Sequence, residues 1–575
     1  ENKMKSLTLL AFLGCLALTL ASPHWNLVED HQLLDEHKVS FKVGLVPQNL
    51  DVMDKLFWEI SDPQNPLFGQ FLSNDQIADL ISLPEEAISQ VEDYFKADAG
   101  KFCEVVVERS VHRDYLFVTT CAAQAAVMFP NLTLAVYQNE YNSKILRSAA
   151  LMDVAHNLTF LGVPQQLHQF IAAIHEVTDV PIKHFRLGGV NVQEPWLKSD
   201  KELTIRDMME LFQVNWDGIE ASSLEADSPQ VRQAVIELNN AGFRVSDLAV
   251  FQKTYDIPND PIKKVIGTEE LNQAHFDDQV EATLDVQTIT GIAGGVQTWD
   301  YVFGDTASFL DVAETLLKTP DAPRVISTSW VSYESNYSQS QADAVNTAFM
   351  KVGLAGFSYY IGSGDCGPSL GPECDTFDSQ FPSTSAYVTA VGGTKVDKAS
   401  GVQGAWMHSS GGFSTLIKRP LYQNQRVQGY LDSAVLPPNS NGTLYTTTGR
   451  AYPDIAALGA LEPEIINGKT MPIGGTSGAT PQFAAMTTLI NIQRYQKGRG
   501  PIGNLNQALW TLNNYAFDVV QGQSYATNRS GACGTQYVAG FKAAPGWDPV
   551  TGNGAPYYDQ LLEKLINLGE PTKNQ

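Results

Sequence analysis

Between residues 280 and 495 the chain alternates short apolar runs with long stretches of helical periodicity, the pattern of a parallel β-sheet covered by helices. Candidate strands are Val325–Trp330, Gly356–Gly362 and Val388–Gly392, and candidate helices are Val280–Ile292, Ser338–Val352 and Thr480–Tyr495. Gly392-Gly393-Thr394 and Gly411-Gly412 mark sharp turns at strand ends. Residues 23 to about 195 have another texture and read as one mixed unit. Strand-like runs at Val39–Leu45, Cys103–Glu108 and Tyr115–Thr120 alternate there with helical patterns. One of those helices is expected to open on a capping box, Ser82-Leu83-Pro84-Glu85, ahead of Ile88, Val91 and Phe95. The polar stretch from Glu194 to Glu202 separates the two textures as an exposed linker open to proteolytic nicking. A length of 575 residues exceeds a single core, so two or more domains are expected.

The formal charge of −25 argues against non-specific nucleic-acid binding and agrees with solubility or with work in an acidic compartment. From Met4, a lysine, an apolar run Leu7–Leu20 and the small-residue site around Ala21-Ser22 make a secretory signal over residues 1–22. Residues 1–3, ahead of that methionine, read as an artefact. No later stretch has the roughly 18 apolar residues of a membrane span. Sequons at Asn131, Asn157, Asn336, Asn441 and Asn528 fit a secretory route. Cys103 and Cys121 flank a strand-like segment and are expected to pair, while Cys366, Cys374 and Cys533 leave one thiol over.

The chemistry centres on Ser477, in Gly474-Gly475-Thr476-Ser477-Gly478-Ala479-Thr480-Pro481, a serine on a tight turn entering a helix. Gly475-x-Ser477-x-Ala479 nearly matches a nucleophile elbow, but that order needs a later histidine, and the last histidine is His408. Of the upstream candidates, His275 and His408, the second sits in a Ser/Gly-rich loop and reads as a surface residue. Another base is offered by Glu281 and Asp285, four apart on one helix face without a cation within a turn. Two carboxylates held together share a proton, which raises one apparent pKa and suits work below neutrality. A solvated acidic face is the plain alternative. A third acid, Asp365 in Ser363-Gly364-Asp365, follows a candidate strand, where open α/β sheets place their sites. If protonated it donates a hydrogen bond to an oxyanion; otherwise it is an ordinary turn residue.

These motifs together resemble the sedolisin family of serine-carboxyl peptidases. The family's Gly-Thr-Ser-x-x-x-Pro is matched by Gly475 to Pro481, its Glu-x-x-x-Asp by Glu281 and Asp285, and its Ser-Gly-Asp by Ser363 to Asp365. Val391-Gly392-Gly393-Thr394, Ser410-Gly411-Gly412-Phe413-Ser414 and Gly449-Arg450-Ala451-Tyr452-Pro453-Asp454 are similar too, as is the propeptide signature Asp62 to Gly69. The resemblance covers nearly the whole chain past the signal. It implies a subtilisin-like α/β catalytic domain over residues 199–575 behind an α+β prodomain with antiparallel sheet, residues 23–198. It implies Ser477 as nucleophile, Glu281 as base, Asp285 as its partner and Asp365 in the oxyanion hole. It also implies one structural calcium ion, held by the side chains of Asp518 and Asp548 and the carbonyls of Val519, Ala544 and Gly546. Two carboxylates with backbone carbonyls suit a hard cation. The pattern departs at Ser329-Trp330-Val331, where relatives have Ser-Tyr-Gly on the substrate-binding strand, and at Cys366, which replaces a small residue.

The expected protein is a self-activating zymogen, inhibited by its own propeptide, that removes tripeptides from free amino termini of peptides in a lysosome or other acidic compartment, or after secretion. An acid endopeptidase and a catalytically silent peptide-binding glycoprotein are the rivals. No nucleic-acid partner is expected.

Overall fold

Strand β1 (Lys38–Leu45) is the spine of the N-terminal unit. In the computed structural model this unit carries helices α1 (Leu50–Ser61), α2 (Asn74–Ile81) and α3 (Glu85–Lys96) and strands β2 (Val106–Arg109), β3 (Tyr115–Cys121) and β4 (Ile171–His175). These four strands form a wholly antiparallel sheet in the order β2-β3-β1-β4. Residues alternate along β3, with Leu116 and Val118 turned to the core, as period-2 geometry requires. Helix α3 lays Ile88, Val91 and Phe95 on that face, the Phe95 ring 5.7 Å from that of Phe41. Its cap differs from expectation. Pro84 takes the N-cap position, so Ser82 lies too early to reach the first amides and instead closes α2. The capping box belongs to Ser73 and Gln76 at the start of α2. Cys103 and Cys121 are joined as expected, and Cys374 also lies in a disulfide.

The structure describes residues 25–28, 35–97, 101–139, 143–149, 154–182, 184–187, 200–215, 228–258, 261–267, 280–371, 374–439, 442, 444–527 and 538–569. The signal-like residues, the linker as far as position 199, His275, Asn441, Asn528 and Cys533 lie outside them. No helix among the described residues is long and apolar enough to cross a membrane.

After a two-residue strand β5 (Phe185–Arg186), the second unit is built on β6 (Gln233–Glu237), β7 (Lys264–Gly267), β8 (Thr298–Val302), β9 (Val325–Thr328), β11 (Ser358–Gly362), β12 (Thr389–Val396), β13 (Gln403–Ala405) and β14 (Ile455–Leu458). The order is β7-β8-β6-β9-β11-β12-β13, with β14 also beside β12; all pairings are parallel except β12 with β13. Helices α4 (Val280–Ile292), α5 (Phe309–Lys318), α6 (Gln339–Leu354) and α7 (Thr476–Gln496) cover the sheet. Two boundaries depart from the sequence reading. The expected strand Val325–Trp330 breaks at Ser329, and its continuation β10 (Trp330–Tyr333) leaves the sheet to pair antiparallel with β5. Helix α7 begins at Thr476 and runs through Pro481, whose missing amide leaves the Ser477 carbonyl without its usual i+4 donor.

Buried ion pairs join the two units. Lys42 on β1 donates to Asp311 of α5 at 2.7 Å and also pairs with Glu176. Asp114 accepts from Lys351 of α6 at 2.5 Å. Burial pushes the Asp114 carboxyl up, but the Lys351 charge and hydrogen bond, with His112 and Ser110, together hold it below its ordinary value. Asp311 is held down by Lys42 against the same burial effect. A carboxyl lowered in the folded state contributes its full stabilisation above its unfolded pKa of about 4 and loses it as pH falls through the folded value. Contact between the units therefore weakens below about pH 4. Asp114→Asn leaves Lys351 buried without its counter-ion. We expect it to cost the zymogen about 3–5 kcal/mol in urea-unfolding midpoint analysis.

Candidate active site

Helix α4 is buried on every side, including Glu281 and Asp285. The solvated-face alternative is thereby removed. Asp285 Oδ1 accepts from the Ser329 hydroxyl at 2.8 Å, the point where β9 ends and β10 begins. Around α4 lie further carboxyl groups. Glu237 ends β6 and accepts from the Trp330 indole at 3.1 Å; Asp300 sits in mid-β8. Glu462 and Glu464 lie on β15 (Glu462–Ile466), which forms a hairpin with β16 (Lys469–Ile473). Glu462 takes hydrogen bonds from Gln482 of α7 at 2.6 Å and from Thr288 of α4 at 3.3 Å. Each of Glu237, Glu281, Asp285, Asp300, Glu462 and Glu464 is at most 1% exposed.

Burial raises the Glu237 carboxyl well above its ordinary range, with Asp285, Asp300 and Glu281 adding repulsion. Asp285 is raised by burial and then by Glu281, and Asp300 is pushed up to about 8 by burial. Glu462 and Glu464 are raised by burial, Glu464 also by Glu462 and Asp285. Among the described residues no ion pair to a lysine or arginine serves Glu237, Asp285, Asp300, Glu462 or Glu464. The sequence reading missed Glu237, Asp300, Glu462 and Glu464. The signal available was a lone acid inside an apolar strand, as in Ala234-Val235-Ile236-Glu237 and Trp299-Asp300-Tyr301.

Ser477 stands in the first turn of α7, fully buried. Its neighbour Thr476 donates from both backbone N–H and hydroxyl to Asp365 Oδ1, each at 2.8 Å. The Thr476 hydroxyl also accepts from Gly364 N–H at 3.1 Å. Gly364 has φ +118° and packs where a Cβ would lie 2.6 Å from Ser410 Oγ, so the turn presenting Asp365 requires glycine. Gly478, directly after Ser477, touches the other carboxyl group: a Cβ there would sit 2.0 Å from Glu462 Oε1. His408 corrects the surface reading. It is buried, its ring 5.2 Å from Trp406, and burial pushes its pKa down to about 4. The Trp406 to Ser410 loop folds inward because the Ser409 hydroxyl donates to the Val550 carbonyl and accepts from Gly393 N–H.

In the C-terminal loop, Gly546 N–H donates to Asp518 at 2.9 Å, and Ala544 N–H to Asp548 at 3.3 Å. Asp548 is fully buried, also accepts from Val550 and Thr551, and is pushed up to about 7 by burial. Asp548, with Asp518 and the backbone carbonyls of the loop around a left-handed Gly546 (φ +83°), supplies the oxygen donors that a hard cation prefers.

The fold and this serine-plus-carboxyl arrangement define a serine-type peptidase carried behind an activation domain. Residues 25–180 match the family described as "Pro-kumamolisin, activation domain", and residues 278–510 match the "Subtilase family". Tripeptidyl-peptidase 1 of Dictyostelium discoideum is 26% identical over 96% of this chain and 92% of its own length. The Rattus norvegicus protein of that name is 29% identical over 97% and 99%, and the Homo sapiens one 28% over 92% and 92%. Among solved structures, a Pseudomonas sedolisin is 20% identical with a TM-score of 0.48, covering 61% of this chain and 96% of that one. The chain is thus similar over nearly its whole length to tripeptidyl-peptidase 1, and its activation domain ahead of a subtilase-type domain makes it a serine-peptidase zymogen.

Two outcomes follow from the buried acids. A carboxyl whose folded pKa is raised stabilises fully below its unfolded value and loses that contribution as pH rises through the folded value. The unfolding temperature of the S477A protein should therefore fall between about pH 4 and pH 8 in calorimetry, the upper bound set by Asp300. Gly478→Ala should destabilise by about 1–3 kcal/mol in denaturant titration despite the better helix propensity of alanine.

Proposed function

We propose that this enzyme removes tripeptides from the free amino termini of peptides at acid pH, with Ser477 as nucleophile, Glu281 as base, Asp285 as its proton-sharing partner and Asp365 as an oxyanion donor. The observation that carries the reading is the burial of the Glu281–Asp285 pair in a helix packed on the helix of Ser477. Glu281 takes the Ser477 proton as Oγ attacks the scissile carbonyl, then returns it to the departing amine. Water hydrolyses the acyl-enzyme by the same base. Oδ1 of Asp365 already accepts twice from Thr476, so its proton belongs on Oδ2, where it and the Ser477 N–H meet the tetrahedral oxyanion. Tripeptide release is supported by the names of the relatives, which align over nearly their whole lengths. Residues 23–198 act as the propeptide and 199–575 as the mature enzyme, in an acidic compartment of the secretory pathway.

One calcium ion fits the C-terminal loop, with Asp518 and Asp548 as side-chain ligands and Val519, Ala544 and Gly546 supplying carbonyls. The ion would supply the positive charge that the buried Asp548 calls for.

Activity of the acid-treated protein on a free-amino-terminal peptide should peak below pH 6 and vanish in S477A. The N-acetylated peptide should resist cleavage, with products read by mass spectrometry. A maximum at or above neutrality would refute the carboxyl mechanism. Chelation with EGTA should lower the unfolding temperature of the wild type by several degrees, about 1 kcal/mol or more. It should leave Asp548→Asn unmoved.

A further inference from the structure

Helices α4 and α7, which carry Glu281 and Ser477, are stitched to each other through strand β15. On the α4 side the Gln287 amide brackets Ile465: its nitrogen donates to the Ile465 carbonyl and its oxygen accepts from the Ile465 N–H, each at 2.9 Å. Leu284 of α4 packs there with Ile466 and Ile473 of the hairpin. On the α7 side the Gln482 amide makes the same pair of bonds to Leu458 at the end of β14, at 2.9 and 3.1 Å. The hairpin turn is fixed as well, since the N–H groups of Asn467 and Gly468 donate to Asp247 of the helix Val245–Thr254 at 2.7 and 3.0 Å. From this frame one side chain reaches both helices. Glu462 Oε1 accepts from Gln482 of α7 and Oε2 from Thr288 of α4, three residues beyond Asp285. The whole carboxyl lies over Gly478, where a Cβ would stand 2.0, 2.5 and 2.8 Å from its Oε1, Cδ and Oε2.

We infer that Glu462 is a positioning residue for the hydrolysis: by holding Thr288 with one carboxyl oxygen and Gln482 with the other, it sets the distance of Glu281 from Ser477. This rests on the peptidase reading above. The tie works with the carboxyl neutral. Oε1 then still accepts from Gln482, and a proton on Oε2 goes to the Thr288 hydroxyl, which has lone pairs to receive it. Burial raises the Glu462 carboxyl well above its ordinary range, so the neutral form is the one present in acid. The charged groups that face it are Asp285 from α4 and Glu464 from its own strand, with Glu281 and Tyr255 beyond, against Glu464. Gly478 and Gln482 of α7 carry no charge, Asp365 meets that helix at Thr476 instead, and Ile473 lies opposite Glu462 on β16. Once Glu462 loses its proton, its charge repels Glu464 and Asp285 and drives the hairpin from α4. The spacing of base and nucleophile is therefore held in acid and released as pH rises.

The test uses the acid-treated full-length protein and a fluorogenic tripeptide amide with a free amino terminus. Glu462→Ala should lower kcat about tenfold or more while KM changes less than about threefold, because a misplaced base slows the chemistry without touching the substrate. Glu462→Gln keeps both ties, its amide oxygen accepting from Gln482 and its nitrogen donating to Thr288, and it cannot ionise. It should hold kcat within about threefold of wild type in acid and move the alkaline limb of the kcat profile upward by about half a pH unit or more. Each variant is first checked for native circular dichroism; should Glu462→Ala fail to fold, the pH profile of Glu462→Gln decides alone. A Glu462→Gln profile that superimposes on wild type, a Glu462→Gln protein as slow as Glu462→Ala, or a Glu462→Ala loss confined to KM would overturn the inference while leaving the peptidase reading intact. Failure of the wild type to hydrolyse any peptide at any pH would overturn the reading on which it rests.

Discussion

The catalytic unit is organised around a solvation problem: Glu237, Asp285, Asp300, Glu462 and Glu464 are sealed from water about one helix and, among the described residues, form no ion pair with lysine or arginine. An isolated ionised carboxylate in such surroundings costs far more than an ordinary hydrogen bond returns, so the groups keep their protons or share them. That requirement accounts for several features that look unrelated. The Trp330 indole and the Ser329, Thr288 and Gln482 side chains are the neutral donors that serve the cluster. The residue following Ser477 is glycine because Glu462 occupies the place of a methyl group. A fold that accepts so many raised carboxyl groups is at ease in acid, where they are neutral, and loses that ease as rising pH draws their protons away.

The interface with the N-terminal unit follows the opposite rule. Lys351 with Asp114 is a buried pair of opposite charges and buried Lys42 meets the half-buried Asp311, and both carboxyl groups are held below their ordinary range. Protonation that relaxes the catalytic core weakens this contact, although in a lower pH window. The two halves of one chain thus answer the same variable with opposite signs. Departure of the activation domain and comfort of the enzyme it leaves behind lie in the same direction along the pH axis.

Much of this was legible in the residues. Helix α4 has the same ends in the sequence reading and in the structure, and the antiparallel and parallel sheets fall on either side of the expected linker. Motif spacing singled out Ser477, Glu281, Asp285 and Asp365, and the fold brings all four into one buried region. What escaped was long-range. Nothing local tells that Glu462 and Glu464, on a hairpin nearly two hundred residues from α4, turn inward onto it. The apolar run through Val325 gives no sign that the chain leaves the sheet at Ser329, because pairing with β5 comes from another unit. His408 looked exposed in a loop of small polar residues whose hydroxyls in fact face inward to satisfy backbone amides. The capping box was misplaced because a proline shifted the register by two positions.

The break at Ser329 has one more consequence. Its carbonyl accepts from the Leu187 N–H, while its hydroxyl donates to Asp285. One joint therefore ties the residue after β5 to a carboxyl group of α4. Any shift of Ser329 toward one of these partners would be felt by the other, so the placing of Leu187 and the alignment of Asp285 are set together.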